Sequence, residues 1–105
     1  MPYQIGFHPY FWTENKLAAK LVYNWHEEVT DIAKFSHAYV LQTSNFRLTV
    51  TSVKGFDHVV VWSLPGEPFI CVEPWLRSIG AIQSKESPII QPHCEKKHVF
   101  IIEVE

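Results

Sequence analysis

The strongest constraint on the fold of this chain is a pair of apolar segments joined by a short Pro/Gly turn. The first segment, His58–Ser63, is too uniformly apolar to form a strand with one face in water. Residues 64–68 form the turn, and a second apolar segment follows over residues 69–73. This pattern predicts a β-hairpin whose first strand lies in the centre of a sheet.

Further strands are predicted on both sides of the hairpin. Residues 46–51 alternate apolar and polar side chains, which is typical of a strand with one buried face. Residues 98–104 predict a closing strand, and the more polar stretch 76–92 predicts loop with short strand pieces near Ile89. A chain of 105 residues with 47% apolar residues can bury one core. Residues 1–105 therefore predict a single, mainly antiparallel β domain.

One segment favours a helix instead. Between residues 13 and 35 apolar side chains recur every four positions, and neither Gly nor Pro interrupts them. Thr13 is a suitable N-cap. The sequence thus predicts one amphipathic helix over residues 13–35, with an α+β fold as the alternative to a mainly β one.

Charge and composition exclude several classes of partner. The formal net charge is -2 and the nine Lys and Arg are scattered, so no basic stripe for nucleic acid or an acidic membrane is present. No apolar stretch approaches the roughly 20 residues needed to cross a bilayer, and residues 1–11 lack the order of a signal peptide. We therefore expect a cytoplasmic protein in which Cys71 and Cys94 stay free thiols.

Two short segments each hold one titratable side chain among apolar and aromatic residues. His8 lies within residues 6–11, and Glu73 lies within residues 69–75. A partly dry pocket brings the pKa values of such groups toward neutrality, which suits a proton donor and a proton acceptor facing one ligand. Trp75 shares a strand face with Glu73, because positions two apart point the same way.

These segments also resemble motifs of the aldose 1-epimerase (galactose mutarotase-like) family. Residues 6–11, Gly-Phe-His-Pro-Tyr-Phe, are similar to the family's His-Pro-Tyr-Phe motif. Residues 59–75 resemble its strand, Pro/Gly turn and Cys-x-Glu-Pro-Trp strand, in the same order. The resemblance covers most of this chain, but only the C-terminal part of the family's longer sequence.

The resemblance implies a truncated antiparallel sandwich related to the family's supersandwich, and a site for a free hexose. It implies that His8 is a general acid and Glu73 a general base, which interconvert the α and β anomers of the sugar without a cofactor. It implies that Asp31 contacts the sugar hydroxyls. Further candidates for substrate contacts are Trp75, Tyr10 and Arg77.

Other interpretations of these residues stay open. A buried carboxylate at Glu73 needs a charged partner unless it has a functional role, and Arg77 is close to it in sequence. Asp31 is equally typical of a solvated surface residue. Without a catalytic rate the chain would be a carbohydrate-binding domain, or a structural remnant. Half a sandwich leaves unpaired strands, so we expect a homo-oligomer formed through exposed sheet edges.

A metal site is not expected from the sequence. His93, Cys94 and His98 lie close together, and Glu95 and His58 are candidates to join them. Their spacing matches no closed zinc pattern. No Gly-rich phosphate loop or Rossmann fingerprint is present, so nucleotide chemistry is not indicated.

Overall fold

The fold consists of antiparallel strands in two sheets. The computed structural model describes residues 1–16, 19, 22–24, 27–34, 38–78 and 80–105. The strands are β1 (Tyr10–Trp12), β2 (Val22–Asn24), β3 (Glu27–Lys34), β4 (Ala38–Gln42), β5 (Arg47–Lys54), β6 (His58–Ser63), β7 (Phe69–Trp75) and β8 (Val99–Val104). One sheet has the order β1-β7-β6-β3-β2 and the other β4-β5-β8. The prediction of a mainly β, antiparallel fold is confirmed.

The predicted hairpin is the centre of the larger sheet. Strand β6 pairs with β7 on one side and with β3 on the other, and Val60 lies opposite Glu73. The Ser63 hydroxyl donates a hydrogen bond of 2.6 Å to the carbonyl of Phe69, which ties the two strands together beside the turn. Lys16 donates in turn to the Ser63 hydroxyl at 2.9 Å. The connection between β6 and β7 is therefore held by side chains as well as by the strand ladder.

The core lies between the two sheets. The larger sheet contributes fully buried aliphatic side chains from β6 and β7, and the smaller sheet contributes them from β4 and β5. They include Val59, Val61, Ile70, Val72, Leu41, Leu48 and Val50. Because side chains alternate along a strand, the residues between Ile70 and Pro74 that do not enter the core point to the opposite face. This alternation sets Cys71 and Glu73 on the outer face of the larger sheet.

The predicted helix over residues 13–35 is wrong wherever the structure describes that range. Strands β2 and β3 form a hairpin there, and β3 pairs with β6 from Glu28 to Lys34. Apolar residues four positions apart also lie on one face of a strand, because four is a multiple of the strand period of two. Tertiary structure decides between helix and strand here. Strand β6 is buried, so the backbone groups on its second edge need a partner, and β3 provides it. In the described residues there is no helix long and apolar enough to span a membrane.

The remaining predictions differ in how well they locate the strands. Strand β5 lies where the alternation placed it and β8 lies within the predicted closing strand, whereas β1 and β4 were not assigned from sequence. Ile89 makes an isolated antiparallel bridge to Pro2, within the stretch predicted as loop with strand pieces. Cys71 is buried and Cys94 is exposed, and both are free thiols as expected.

Two turn glycines allow a matched test of local packing. Gly55 and Gly66 both have a positive φ, at 92° and 77°. A Cβ on Gly55 would clash with Nδ1 of His98, whereas a Cβ on Gly66 would meet nothing within 4 Å. Gly66→Ala should therefore lower the free energy of unfolding by about 1 kcal/mol, from the backbone alone. Gly55→Ala should lower it by about 3 kcal/mol, because the steric clash adds to the backbone strain.

Urea denaturation of the two variants beside the wild type measures this difference. Adding His98→Ala to Gly55→Ala removes the clash and should recover part of the loss. Equal losses for the two glycine variants would contradict the close contact between Gly55 and His98.

Candidate functional site

The site is built on the outer face of β7. Glu73 is only 4% exposed, although its side chain is a carboxylate. Cys71 and Trp75 flank it on the same face of the strand, with Cys71 fully buried and Trp75 partly buried. A carboxylate at such a position is destabilising unless it has hydrogen-bond partners, so its neighbours decide what it can do.

The segment before β1 carries the first partner, His8. Its backbone runs beside the end of β7, where Phe7 N–H donates to the carbonyl of Pro74 at 3.1 Å. Gly6 bridges to Trp75, and a Cβ on Gly6 would come within 3.3 Å of the indole. Glycine thus permits the close approach that places Nε2 of His8 3.1 Å from Oε1 of Glu73.

Trp75 supplies the second partner of the carboxylate. Its Nε1 donates a hydrogen bond of 3.1 Å to Oε2 of Glu73. Burial raises the pKa of the Glu73 carboxyl, and the Trp75 hydrogen bond and the charge of His8 oppose that rise. Both carboxylate oxygens therefore have a partner. Because of burial, the carboxyl group still holds its proton to a higher pH than a solvated glutamate does.

Aromatic rings surround His8 on its other sides. The imidazole stacks on Tyr10 at a centroid distance of 5.0 Å and meets Trp62 edge-on at 5.3 Å. His8 is 49% exposed at its side chain. The ring thus packs against aromatic neighbours yet is reachable from solvent, as an acid or base that meets a ligand must be.

A groove opens where these side chains meet. Its volume is about 230 Å³, and its lining residues are Gln4, Gly6, Phe7, His8, Glu73 and Trp75. Small-molecule pockets usually have about 300 to 1,000 Å³, so this groove holds a small ligand or one part of a larger one. Gln4 was not identified from the sequence, since an isolated polar residue outside any periodic segment gives no signal. Its side-chain amide donates to the carbonyls of Arg77 and Ser78.

The structure brings together four of the six residues singled out in the sequence. His8, Glu73, Trp75 and Tyr10 form one connected group through the contacts above. Sequence reasoning missed Trp62 as a neighbour of His8, because its apolar strand was interpreted only as core. The other two residues, Arg77 and Asp31, are placed differently.

Arg77 is not the partner of Glu73. Its Nη1 lies 3.5 Å from Oδ2 of Asp57 and donates to the carbonyls of Gly55 and Leu76. The expectation of a Glu73–Arg77 ion pair is wrong, because the guanidinium turns toward the β5–β6 turn. Its predicted role in substrate binding therefore has no support from these contacts.

Asp31 lies in β3, and its side chain is outside the described residues. The register of β3 against β6 shifts between Thr30 and Ala33, which indicates a bulge at this point. On β6 the facing residue at this level is Val60, which pairs with Glu73 on its other side. Two strand spacings, about 10 Å, thus separate the backbone of Asp31 from that of Glu73.

A group with metal-ligand chemistry occurs at the same place. The ligand atoms of His8, Cys71 and Glu73 all lie within 4.8 Å of one another. Burial and the negative charge of Glu73 raise the pKa of the Cys71 thiol to about 12. The cluster considered in the sequence around His93, Cys94 and His98 forms no such group within the described part of the chain.

Comparison with known proteins identifies the fold. No protein-family model matches this sequence, and no curated protein matches it. Among solved structures, the chain is similar to the Slr1438 protein from Synechocystis sp. PCC 6803, with a TM-score of 0.76 and 19% sequence identity. The similarity covers 99% of this chain and 45% of that chain, so this chain spans less than half the length of the structure it matches. At this identity the likeness shows the fold alone.

The raised pKa of Glu73 predicts how stability depends on pH. In the folded state the carboxyl holds its proton to a higher pH than in the unfolded chain. The stability that this proton contributes is fully present below the ordinary glutamate pKa and is lost as pH rises through the folded pKa. Glu73→Gln keeps the neutral shape, so the wild type should lose stability relative to this variant as pH rises from the ordinary glutamate pKa through the folded one.

Urea unfolding of both proteins across this pH range measures the effect. Glu67→Gln in the exposed β6–β7 turn is the matched control and should follow the wild type. A difference between wild type and Glu73→Gln that stays constant with pH would contradict the raised pKa.

Proposed function

We propose that this protein is an aldose 1-epimerase-like isomerase, which binds a free hexose and interconverts its α and β anomers without a cofactor. The observation that carries the proposal is the contact of 3.1 Å between the buried Glu73 carboxylate and the half-exposed His8 imidazole at an open groove. The motifs that hold these two side chains resemble those of the aldose 1-epimerase family. On this proposal the two sheets form a truncated version of that family's supersandwich.

The reaction needs one acid and one base. Interconversion of anomers removes the proton of the C1 hydroxyl and protonates the ring oxygen, after which the ring opens, rotates about C1–C2 and closes again. Glu73 would accept the hydroxyl proton and His8 would donate to the ring oxygen. Because the reaction is reversible, each group also works in the opposite sense.

Binding of a sugar would exchange the hydrogen-bond partners of His8 and Glu73. His8 and Glu73 contact each other, so a sugar has to separate them and replace that hydrogen bond with its own hydroxyls. Trp75 holds Oε2 of Glu73, which leaves Oε1 for the ligand. The His8 side chain is half exposed and is free to move from the carboxylate toward the groove.

Tyr10 is the best available platform for the sugar ring. Its side chain is 62% exposed and contacts the rings of His8 and Phe69, so part of it is open to solvent beside the acid. Trp75 lies against the backbone of Gly6 and donates its N–H to Glu73, so its main role is to orient the base. Aromatic rings of this kind offer apolar contact area with a polar rim, which suits one face of a pyranose.

The test of this function is polarimetry of freshly dissolved α-glucose and α-galactose, with EDTA present to remove metal ions. The wild type should speed the decay of optical rotation. Glu73→Gln and His8→Asn should each lower the rate by at least about 100-fold, since general acid–base catalysis contributes 10² to 10⁴. His93→Asn is the matched control, because His93 is exposed and has φ 59°, which Asn tolerates.

Three outcomes separate the candidate functions. A rate in the wild type and the control alone supports the isomerase. No rate above buffer, combined with saturable binding of either sugar by NMR titration, overturns catalysis and leaves a carbohydrate-binding domain. If the wild type shows neither a rate nor binding, both candidate functions are ruled out for these sugars.

A second candidate function, assembly into a homo-oligomer, is favoured by the exposed edge strand β1. In this strand Tyr10 and Trp12 are 62% and 66% exposed. Edge strands that expose large apolar side chains tend to associate. A second copy would supply a partner strand for the backbone groups of this edge. We propose that two copies meet along β1.

Light scattering after size exclusion tests the assembly. The wild type should elute as a dimer, and Trp12→Ser should shift it to monomer because the largest exposed apolar side chain of the edge is removed. Val53→Ser, at a side chain 55% exposed on β5, is the control and should stay dimeric. A monomeric wild type at high concentration would rule the dimer out.

A further inference from the structure

Three side chains with different ligand atoms converge beside the groove, which two of them, His8 and Glu73, also line. Nitrogen, sulfur and oxygen ligands from His8, Cys71 and Glu73 lie within 4.8 Å of one another. Cys71 and Glu73 are both buried and are two positions apart on β7, so they point to the same face. His8 reaches this face from the separate segment that precedes β1.

The proposed acid–base chemistry uses His8 and Glu73 but gives no role to the thiol. An aliphatic residue would fill the place of Cys71 equally well, and it would not bring a ligand atom to the carboxylate. We propose that His8, Cys71 and Glu73 bind one Zn²⁺, with the fourth coordination position facing the groove. This set of three protein ligands and one open position is the arrangement found in exchangeable and catalytic zinc sites.

The distances are close to those that zinc needs. Zinc takes imidazole nitrogen and carboxylate oxygen at about 2.0 to 2.2 Å and thiolate sulfur at about 2.3 Å, which in a tetrahedron separates ligand atoms by roughly 3.5 Å. Nε2 of His8 and Oε1 of Glu73 are already 3.1 Å apart. A ligand pair at the 4.8 Å limit has to close by about 1 Å. Because His8 and Glu73 are already in contact, this closure falls on the pairs that include Cys71, and rotation of the side chains can supply it.

A neighbouring hydrogen bond prepares the carboxylate for this role. Trp75 holds Oε2 of Glu73 at 3.1 Å and so leaves Oε1 toward His8. Outer partners of this kind orient metal ligands and commonly change metal affinity by 10 to 100-fold when removed.

The ligand set favours zinc over the harder divalent ions. Thiolate and imidazole are borderline to soft ligands that suit zinc, whereas magnesium and calcium take oxygen ligands in larger number. Binding replaces the S–H proton of Cys71 with the metal, forming a Zn–S bond and releasing one proton to solvent.

Zinc would block the proposed isomerase, because the metal takes the nitrogen lone pair of His8 and the carboxylate oxygen of Glu73. This consequence rests on the proposed function. The metal site itself does not, since it is detected without any sugar.

The experiment uses Co²⁺ as a spectroscopic substitute for zinc on the full chain, after EDTA treatment and in the presence of a phosphine reductant. We expect one equivalent to bind with a thiolate-to-cobalt charge-transfer band in the near ultraviolet, and Zn²⁺ to displace it. Cys71→Ala should abolish the band and weaken zinc binding in calorimetry by at least about 100-fold, more than outer-partner changes do. Cys94→Ala should leave both unchanged.

Further variants keep the test decisive if Cys71→Ala fails to fold. His8→Asn changes a half-exposed side chain and should weaken zinc binding while the circular dichroism spectrum is retained. His93→Asn is its control. A wild type without a thiolate band, or a band that disappears with Cys94→Ala and persists with Cys71→Ala, would overturn the proposal.

The two proposals fail separately. If the wild type has no epimerase rate in EDTA, the proposed function fails, and the cobalt spectrum still decides the metal site. If the rate is present, Zn²⁺ should suppress it in the wild type and in Cys94→Ala but not in Cys71→Ala. A cobalt band without suppression would overturn the inhibitory role of the metal.

Discussion

The pairing of β6 with β7 is the constraint on which the rest of the structure depends. Because it sets Val60 opposite Glu73, it directs Ile70 and Val72 into the core and turns the carboxylate to the outer face. A slip of one residue would exchange these two sets, so it would bury an unpaired charge between the sheets. The apolar core and the polar site are thus two sides of one register.

The position of Glu73 is tolerated because two side chains provide partners for its oxygens. The indole of Trp75 comes from the same strand, and the imidazole of His8 comes from the segment that β1 anchors to β7. The buried environment shifts the carboxyl toward its protonated form while leaving it reachable. An ordinary surface glutamate would have water in place of these partners and would lack both properties.

The sequence predicts those features that depend on local periodicity. Strand β5 follows from alternation, and the hairpin of β6 and β7 follows from two apolar segments around a Pro/Gly turn. The association of His8 with Glu73 was expected from their surroundings and from a family resemblance. The helix was wrong because apolar residues four apart satisfy both a helical stripe and a strand face, and only the unpaired edge of β6 decides between them. The partner of Glu73 is equally non-local: Arg77 is nearer in sequence, but it turns to Asp57. Cys71 was interpreted as an inert buried thiol, since its approach to His8 exists only after the chain has folded.

Because β1 is a short strand at the edge of its sheet, the site can open while the rest of the fold stays intact. Strand β1 pairs with β7 at three residues, and the segment before it adds the Phe7–Pro74 hydrogen bond and the Gly6–Trp75 bridge, while β6 and β7 are held by the whole core. Local opening of an edge segment requires less free energy than global unfolding. Some molecules can therefore have an intact core while the His8 segment is detached and the groove is absent. A ligand that contacts both His8 and Glu73 binds only the closed form, so it shifts this equilibrium toward that form.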